Sequence, residues 1–177
     1  MFVPLFLRLE GKRVIVVGGG QIATRKAKEL TLAGADVTIV APDVAGEVPE
    51  GAHWIRRAFD EADLEGSWLV VAATDDSSVQ RRLAQAAARL RVFIIAVDDL
   101  ANASAISPAV VRRGPVTVAI SSGGEAPALT RLLRELIEQL LPEDRYVEIA
   151  RDLRRRWKRE GRPMGLRFAE LVQALRS

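Results

Sequence analysis

The chain has 177 residues, 49% of them apolar, and its formal net charge is +3. It is long enough to bury the core of one medium domain with a small appendage, and too apolar to be disordered. The absence of cysteine excludes disulfides, thiolate metal sites and cysteine nucleophiles. Because the net charge is small and no nucleic-acid-binding module is recognisable, we predict no nucleic-acid partner.

The opening segment, MFVPLFLRLEGKR, is apolar but too short to span a membrane. It also lacks the basic start and the small-residue cleavage site of a signal peptide. We therefore expect a cytoplasmic protein that does not associate with membranes.

Apolar runs alternate with helical patterns through the first half of the chain. Strands are predicted at residues 13–17, 36–41, 53–56, 68–73 and 92–97, and helices at 21–33 and 77–90. Alternation of this kind predicts an α/β fold, in which a parallel sheet carries helices on its faces. His53, the single histidine, begins an expected edge strand and is interpreted as a surface residue, so we predict no metal ligands of the histidine or cysteine type.

A run of three glycines separates the first strand from the first helix, in the stretch VIVVGGGQIA at residues 14–23. Gly18, Gly20 and Ala23 fit a dinucleotide-binding fingerprint. In that pattern the first glycine allows a tight turn, the second lets the backbone approach a pyrophosphate, and the small third residue lets the helix pack on the strand. The N–H groups at the start of the helix would then face the phosphates. The alternative is a tight corner without a ligand.

An acidic residue about twenty positions after such a turn binds the ribose hydroxyls of NAD. Asp43, in the phrase VAPD after the second strand, has this spacing, although it also fits an ordinary Pro-Asp turn. No arginine or lysine lies between Lys28 and Arg56, which would leave no cation near a 2′-phosphate. The sequence therefore favours NAD over NADP.

Polar clusters follow three further extended segments. Thr74-Asp75-Asp76 follows the fourth strand, Asp98-Asp99 follows the fifth, and the phrase SSGG ends a later segment at residues 121–124. Ligands of open parallel sheets bind at the carboxyl ends of the strands, so the glycine turn and the aspartates should line one edge. We expect Asp75 or Asp76 to cap the second helix, and Asp98 to act as a proton acceptor at the cofactor edge.

The second half of the chain has a different pattern. Extended segments are predicted at residues 104–111 and 116–121 with a turn at 112–115, followed by a helix at 125–141 that Pro142 ends, and by two helices interrupted at 161–163. We predict domains at 1–112, 113–141 and 142–177. Leucines form a broad apolar stripe along the helix at 125–141, which packs within the chain or forms a homodimer interface. The arginine-rich run at 151–159 is interpreted as a solvated helix face, although arginines also suit a polycarboxylate substrate.

Several phrases occur in a specific order: VIVVGGGQIATRKAKEL, GADVTIVAPD, AATDD, AVDD and RRGPVTVAISSGGEAPALTRLLRE. Together they resemble the precorrin-2 dehydrogenase and sirohydrochlorin ferrochelatase family, the N-terminal module of siroheme synthase. The resemblance covers residues 1–141 and implies a Rossmann-like domain, a dimer, and NAD-dependent oxidation of precorrin-2 to sirohydrochlorin. Some members of the family also insert iron.

The resemblance implies a set of site residues: NAD contacts at Gln21, Ile22, Pro42 and Asp43, and a functional aspartate at Asp98. To these we add Thr74 as a cofactor contact, and Ser122 and Gly123 as substrate contacts; Ser122 matches a serine that is phosphorylated in some members. The chain departs from the family at residues 95–96 and 105–107, both near the expected tetrapyrrole site. Two alternatives are a dinucleotide-sensing regulatory module without catalysis and a chelatase that has lost the redox step.

Overall fold

The computed structural model describes residues 2–141 and 144–176, so Pro142, the expected end of the long helix, lies outside the described residues. The chain forms two compact units. The first ends at Ser107 and the second begins at Pro108. Each unit is described by itself.

The first unit is a five-stranded parallel sheet with helices on both faces. Its elements in chain order are β1 (Arg13–Val17), α1 (Gln21–Leu32), β2 (Asp36–Val40), β3 (Ala52–Ile55), β4 (Leu69–Ala72), α2 (Ser77–Leu90) and β5 (Phe93–Ala96). The strand order is β3-β2-β1-β4-β5. The predicted Rossmann-like sheet is confirmed, and every predicted strand and helix of this half lies within two residues of its observed bounds.

The sheet is buried on both faces because its strands are almost entirely apolar. Val14 and Val16 of β1 pack with Ala23 and Ala27 of α1 on one face. Ile15 and Val17 pack on the other face, in the cluster that holds the apolar side of α2. Side chains alternate between the faces of a strand, so a continuous run of β-branched residues supplies both layers of the core.

A buried carboxylate organises the link between β3 and β4. Asp63 accepts two hydrogen bonds from the guanidinium of Arg57, at 2.8 and 2.5 Å, and one from the N–H of Asp60 at 2.9 Å. Arg13 donates to the Asp63 carbonyl at 3.1 Å. The hydrogen bond from Arg57 is the main reason that the pKa of Asp63 lies below its usual value.

The second unit consists of an antiparallel hairpin and three helices among the described residues. They are β6 (Ala109–Arg113), β7 (Val116–Ile120), α3 (Pro127–Leu140), α4 (Asp144–Glu160) and α5 (Met164–Arg176). The turn predicted at residues 112–115 is narrower than expected, since Arg112 pairs with Thr117 and Arg113 with Val116. Arg113 extends from the strand to donate to the Leu141 carbonyl at 2.7 Å, after the end of α3.

The extended segment predicted at residues 104–111 is also shorter than expected, because β6 begins only at Ala109. The reason is local pairing in the first unit. The N–H groups of Ser104 and Ala105 both donate to the Ile94 carbonyl, and the Ser104 hydroxyl accepts from the Ile94 N–H at 2.9 Å. These residues therefore cover the end of β5 and do not extend the hairpin.

The leucine stripe of α3 is exposed. It consists of Leu129, Leu132, Leu133, Leu136 and Leu140, whose exposed fractions range from 37% to 80%. Proline in the first turn of α3 suits a helix start, because its missing N–H would have no partner there. In the described residues no helix is long and apolar enough to cross a membrane.

We predict that Asp63→Asn lowers the free energy of unfolding by about 1–2 kcal/mol at neutral pH, because a charged hydrogen-bonded pair is lost. The loss is not larger because Arg57 is half-exposed, so solvent screens its interaction with Asp63. The folded pKa of Asp63 is depressed, so the stabilisation is present above about pH 5 and is lost as the pH falls through the folded pKa. Urea unfolding at several pH values checks this. Glu65→Gln is the matched control, and a difference from wild type that does not shrink in acid would contradict the prediction.

Candidate functional site

A cavity of about 900 Å³ lies at the carboxyl ends of the parallel strands. Four turns line it, one after each of β1, β2, β4 and β5. The predicted cofactor residues Gly18, Gly20, Gln21, Ile22, Pro42, Asp43 and Thr74 all lie on its wall, together with the predicted catalytic residue Asp98. The structure thus brings eight predicted residues of the first unit into one place.

The glycine turn is held by close backbone contacts on two sides. Gly18 has a φ of +120°, and a Cβ atom there would lie 2.0 Å from the Ala73 carbonyl oxygen. A Cβ atom on Gly19 would lie 1.7 Å from the Asp43 carbonyl oxygen. On Gly20 it would meet no protein atom within 4 Å.

These distances give the three glycines different roles. Gly18 and Gly19 allow the neighbouring turns to pack against β1, whereas Gly20 leaves open space on the cavity wall. The fingerprint treats the middle position as free and therefore does not single out Gly19. The sequence signal for Gly19 is the run of three consecutive glycines at residues 18–20.

The start of α1 suits an anion. Gly20 precedes the helix, and no described side chain caps it or places an acidic group in its first turn. The first N–H groups of a helix need partners, and phosphate oxygens are suitable acceptors. Ala23 is fully buried beneath this turn, as the fingerprint predicts for its small third residue.

The start of α2, at the same cavity, is already satisfied. Asp76 accepts hydrogen bonds from the N–H groups of Ser78 and Val79, at 2.8 and 3.2 Å. Hydrogen bonds from Ser78, first from its hydroxyl, hold the pKa of Asp76 below its usual value. The predicted cap is therefore Asp76, and of these two helices only α1 offers its first N–H groups to a ligand.

The surroundings of Asp43 differ from the expectation in one respect. The sequence predicts no cation near this residue, but Arg56 donates to the carbonyl of neighbouring Pro42 at 3.3 Å. Arg56 follows β3, which pairs with β2. The sheet therefore brings Arg56 close to Pro42 although the two residues are distant in sequence. Arg56 does not line the cavity.

Thr74 is held in place by two contacts. Its hydroxyl accepts from the Asp76 N–H at 3.3 Å, and its carbonyl accepts from the Gln80 side chain at 2.7 Å. Gln80 itself lines the cavity. Gln80 is not predicted from the sequence, because the pattern indicates only that it belongs to the second helix.

The two aspartates after β5 have different environments. Asp99 caps a short 3-10 helix through the N–H and side chain of Asn102, at 3.3 and 2.6 Å. Asp98 lies on the cavity wall with a φ of +57°, a conformation that aspartate tolerates better than most residues. Its carboxylate is exposed and accepts no hydrogen bond from the part of the chain that the structure describes. It is therefore available to a ligand.

Ser122 and Gly123 lie in the second unit, which is described separately from this cavity. The Ser122 hydroxyl accepts hydrogen bonds from the Ala126 N–H and the Thr130 hydroxyl, both at 3.0 Å. These contacts organise the loop before α3, and a substrate role for both residues stays a prediction. His53 is exposed on edge strand β3, and the described residues contain no cluster of three or more potential metal ligands.

Comparisons with known proteins agree with this geometry. Residues 5–109 match the family described as "Putative NAD(P)-binding", and residues 113–140 match "Sirohaem biosynthesis protein central". Siroheme synthase 3 of Aeromonas hydrophila subsp. hydrophila is 44% identical over 173 residues, which are 94% of this chain and 37% of that protein. Siroheme synthase of Ectopseudomonas mendocina is 45% identical over 177 residues, which are 98% of this chain and 36% of that protein.

Among solved structures, SirC, a precorrin-2 dehydrogenase, superposes with a TM-score of 0.74 at 26% sequence identity. The match covers 97% of this chain and 88% of SirC. The chain spans only about a third of the length of the two siroheme synthases.

We predict different effects for two neighbouring glycines. Gly19→Ala places a methyl group against the Asp43 carbonyl, so it should lower the free energy of unfolding by about 2–3 kcal/mol. Gly20→Val points into open space and should fold normally, yet lose dinucleotide binding because the side chain occupies the phosphate's place. Thermal melting and calorimetry separate the two effects. A stable Gly19→Ala variant, or full dinucleotide binding by Gly20→Val, would contradict these assignments.

Proposed function

The chain belongs to the putative NAD(P)-binding family that its residues 5–109 match, and we propose that it oxidises precorrin-2 to sirohydrochlorin with NAD. The observation that carries the proposal is the cavity that combines a glycine turn, an uncapped helix start and an available carboxylate, Asp98. The likeness to SirC, which bears the name precorrin-2 dehydrogenase, supports the same reaction. We place the protein in the cytoplasm, as expected from its sequence.

The residues of the cavity fit a dinucleotide. Open space at Gly20 and the first N–H groups of α1 would hold the pyrophosphate, and Gln21 and Ile22 would contact it from the first turn of the helix. Asp43 would accept hydrogen bonds from the adenosine ribose. Thr74 lies on the turn after β4, the strand between β1 and β5, and would contact the cofactor from there.

When bound, NAD supplies a hydride acceptor beside the macrocycle. Oxidation of precorrin-2 to sirohydrochlorin removes one hydride and one proton, so the site also needs a group that takes the proton. Asp98 is an exposed carboxylate on the cavity wall and is a suitable base. The turn that carries Asp98 is held in place, because the neighbouring Asp99 side chain accepts a hydrogen bond from the Asn102 side chain.

The charge of the chain suits the substrate, which is a polycarboxylate. The net charge is +3, and the cationic side chains are predominantly arginine, which binds carboxylates in bidentate geometry. Ser122 and Gly123 are proposed as substrate contacts of the second unit. The matched families and relatives give no support to the alternative of a dinucleotide sensor without catalysis.

We further propose that the chain forms a homodimer through the leucine stripe of α3. A continuous row of half-exposed leucines is costly in water and is typical of an interface between chains. Residues 113–141 would then be a dimerisation segment, and residues 142–177 a separate helical region.

We predict that the purified protein converts precorrin-2 to sirohydrochlorin in the presence of NAD. The absorbance of sirohydrochlorin measures the reaction. Asp98→Asn should fold and bind NAD normally but react about a hundred- to ten-thousand-fold more slowly, because the base is lost. Asp36→Asn, a carboxylate change at the opposite end of β2, is the matched control. Near-normal oxidation by Asp98→Asn would show that Asp98 is not the base, and a loss confined to iron insertion would make it a metal-handling residue.

We predict that Leu133→Asp combined with Leu136→Asp converts a dimer into a monomer, because two buried charges have no partners at the interface. Sedimentation at micromolar concentration checks this. Leu32→Asp changes a leucine of the first unit that is 79% exposed, and should leave the dimer unchanged. A monomeric wild type, or a dimer that persists in the double variant, would contradict the proposed interface.

A further inference from the structure

The turn at residues 41–45, which carries Asp43, is attached to the glycine turn on one side. The Asp43 carbonyl lies so close to Gly19 that no side chain would fit between them. The N–H of Ala45 donates to the Gly19 carbonyl at 2.6 Å. One side of this turn is therefore fixed by backbone contacts alone.

Trp54 of β3 and Arg56, which follows β3, hold the other side of the same turn. The indole N–H of Trp54 donates to the Ala41 carbonyl at 3.0 Å. Arg56 donates to the next carbonyl, that of Pro42, at 3.3 Å, and its guanidinium lies 5.4 Å from the Trp54 ring. Two successive carbonyls before Asp43 thus receive hydrogen bonds from side chains at the end of one edge strand.

These contacts begin where the pairing of the sheet stops. The ladder between β2 and β3 runs to Val40 and Ile55, followed by one hydrogen bond from the Ala41 N–H to Ile55. Beyond that point β3 offers no backbone partner to the turn. Trp54 and Arg56 continue the attachment with side-chain donors.

Trp54 is the stronger of the two supports. It is half-buried and packs against the core cluster that contains buried Ala41, so its indole has few alternative positions. Arg56 is exposed and makes a longer hydrogen bond. Neither residue lines the cavity, whereas Asp43 does.

We propose that Trp54, supported by Arg56, is a positioning residue that aligns Asp43 with the adenosine ribose and so sets the choice of NAD over NADP. The inference rests on the proposed cofactor role of the cavity. Asp43 can bind the ribose hydroxyls and repel a 2′-phosphate only if its turn stays in place. Loss of the indole N–H leaves the Ala41 carbonyl without its partner and releases the turn on the side of β3.

The experiment measures binding of NAD and NADP to Trp54→Phe by calorimetry. Phenylalanine keeps most of the packing and removes the N–H. The Kd for NAD should rise about three- to tenfold, the range for one hydrogen bond, whereas the Kd for NADP should change less than twofold. Trp68→Phe removes an exposed indole at the opposite end of the sheet and should change neither value. Arg56→Met should also raise the ratio of the Kd for NAD to the Kd for NADP, but by a smaller factor.

A double variant tests whether Trp54 acts through Asp43. In an Asp43→Asn background, Trp54→Phe should change the Kd for NAD less than twofold, because the group that it positions is already lost. Equal losses for both cofactors in Trp54→Phe, or independent losses in the double variant, would overturn the inference. Wild-type protein that fails to bind NAD would overturn the proposed function, whereas normal NAD binding by Trp54→Phe would overturn the positioning role alone.

Discussion

The close packing of three turns against each other is the constraint on which the rest of the site depends. Gly18 lies against the turn after β4, and Gly19 lies against the turn after β2. A side chain at either position would force the turns apart, because both neighbours are backbone carbonyls. The cavity exists as one continuous space because the ends of β1, β2 and β4 meet at this point.

The polar groups of the cavity divide into those that are satisfied by the protein and those that are not. Asp76 caps α2 and Asp99 caps a short 3-10 helix, so both are engaged within the fold. The start of α1 and the carboxylate of Asp98 have no such protein partners among the described residues. A phosphate-bearing cofactor and a proton donor are the ligands that these two groups can take. The two groups lie two strands apart on the same cavity wall, after β1 and after β5.

Much of the first unit could be predicted because its determinants are local. Runs such as VIVV and LVVA are buried on both faces, and only a parallel sheet between helices accommodates them. The position of Asp76 at the start of α2 likewise follows from the preference of helix starts for aspartate. These features need no knowledge of which strand neighbours which.

The missed residues Gly19 and Arg56 depend on neighbours that are distant in sequence, unlike Gln80, whose contact with Thr74 spans only six positions. Gly19 matters because of a carbonyl 24 positions later, and Arg56 approaches Pro42 only because β3 pairs with β2. The turn is predicted at residues 112–115, which would leave both arginines outside the hairpin strands. Arg113 instead lies in β6, where it can reach the carbonyl of Leu141.

The left-handed backbone at Asp98 limits how this position can change during evolution. That conformation is unfavourable by about 1 kcal/mol or more for most residues, whereas asparagine and glycine adopt it readily. Neither of these carries a carboxylate, and glutamate, which does, lacks the short side chain that eases the strain. A lineage that loses the aspartate can therefore keep the fold through asparagine or glycine, but it can recover an unstrained carboxylate at this position only by returning to aspartate.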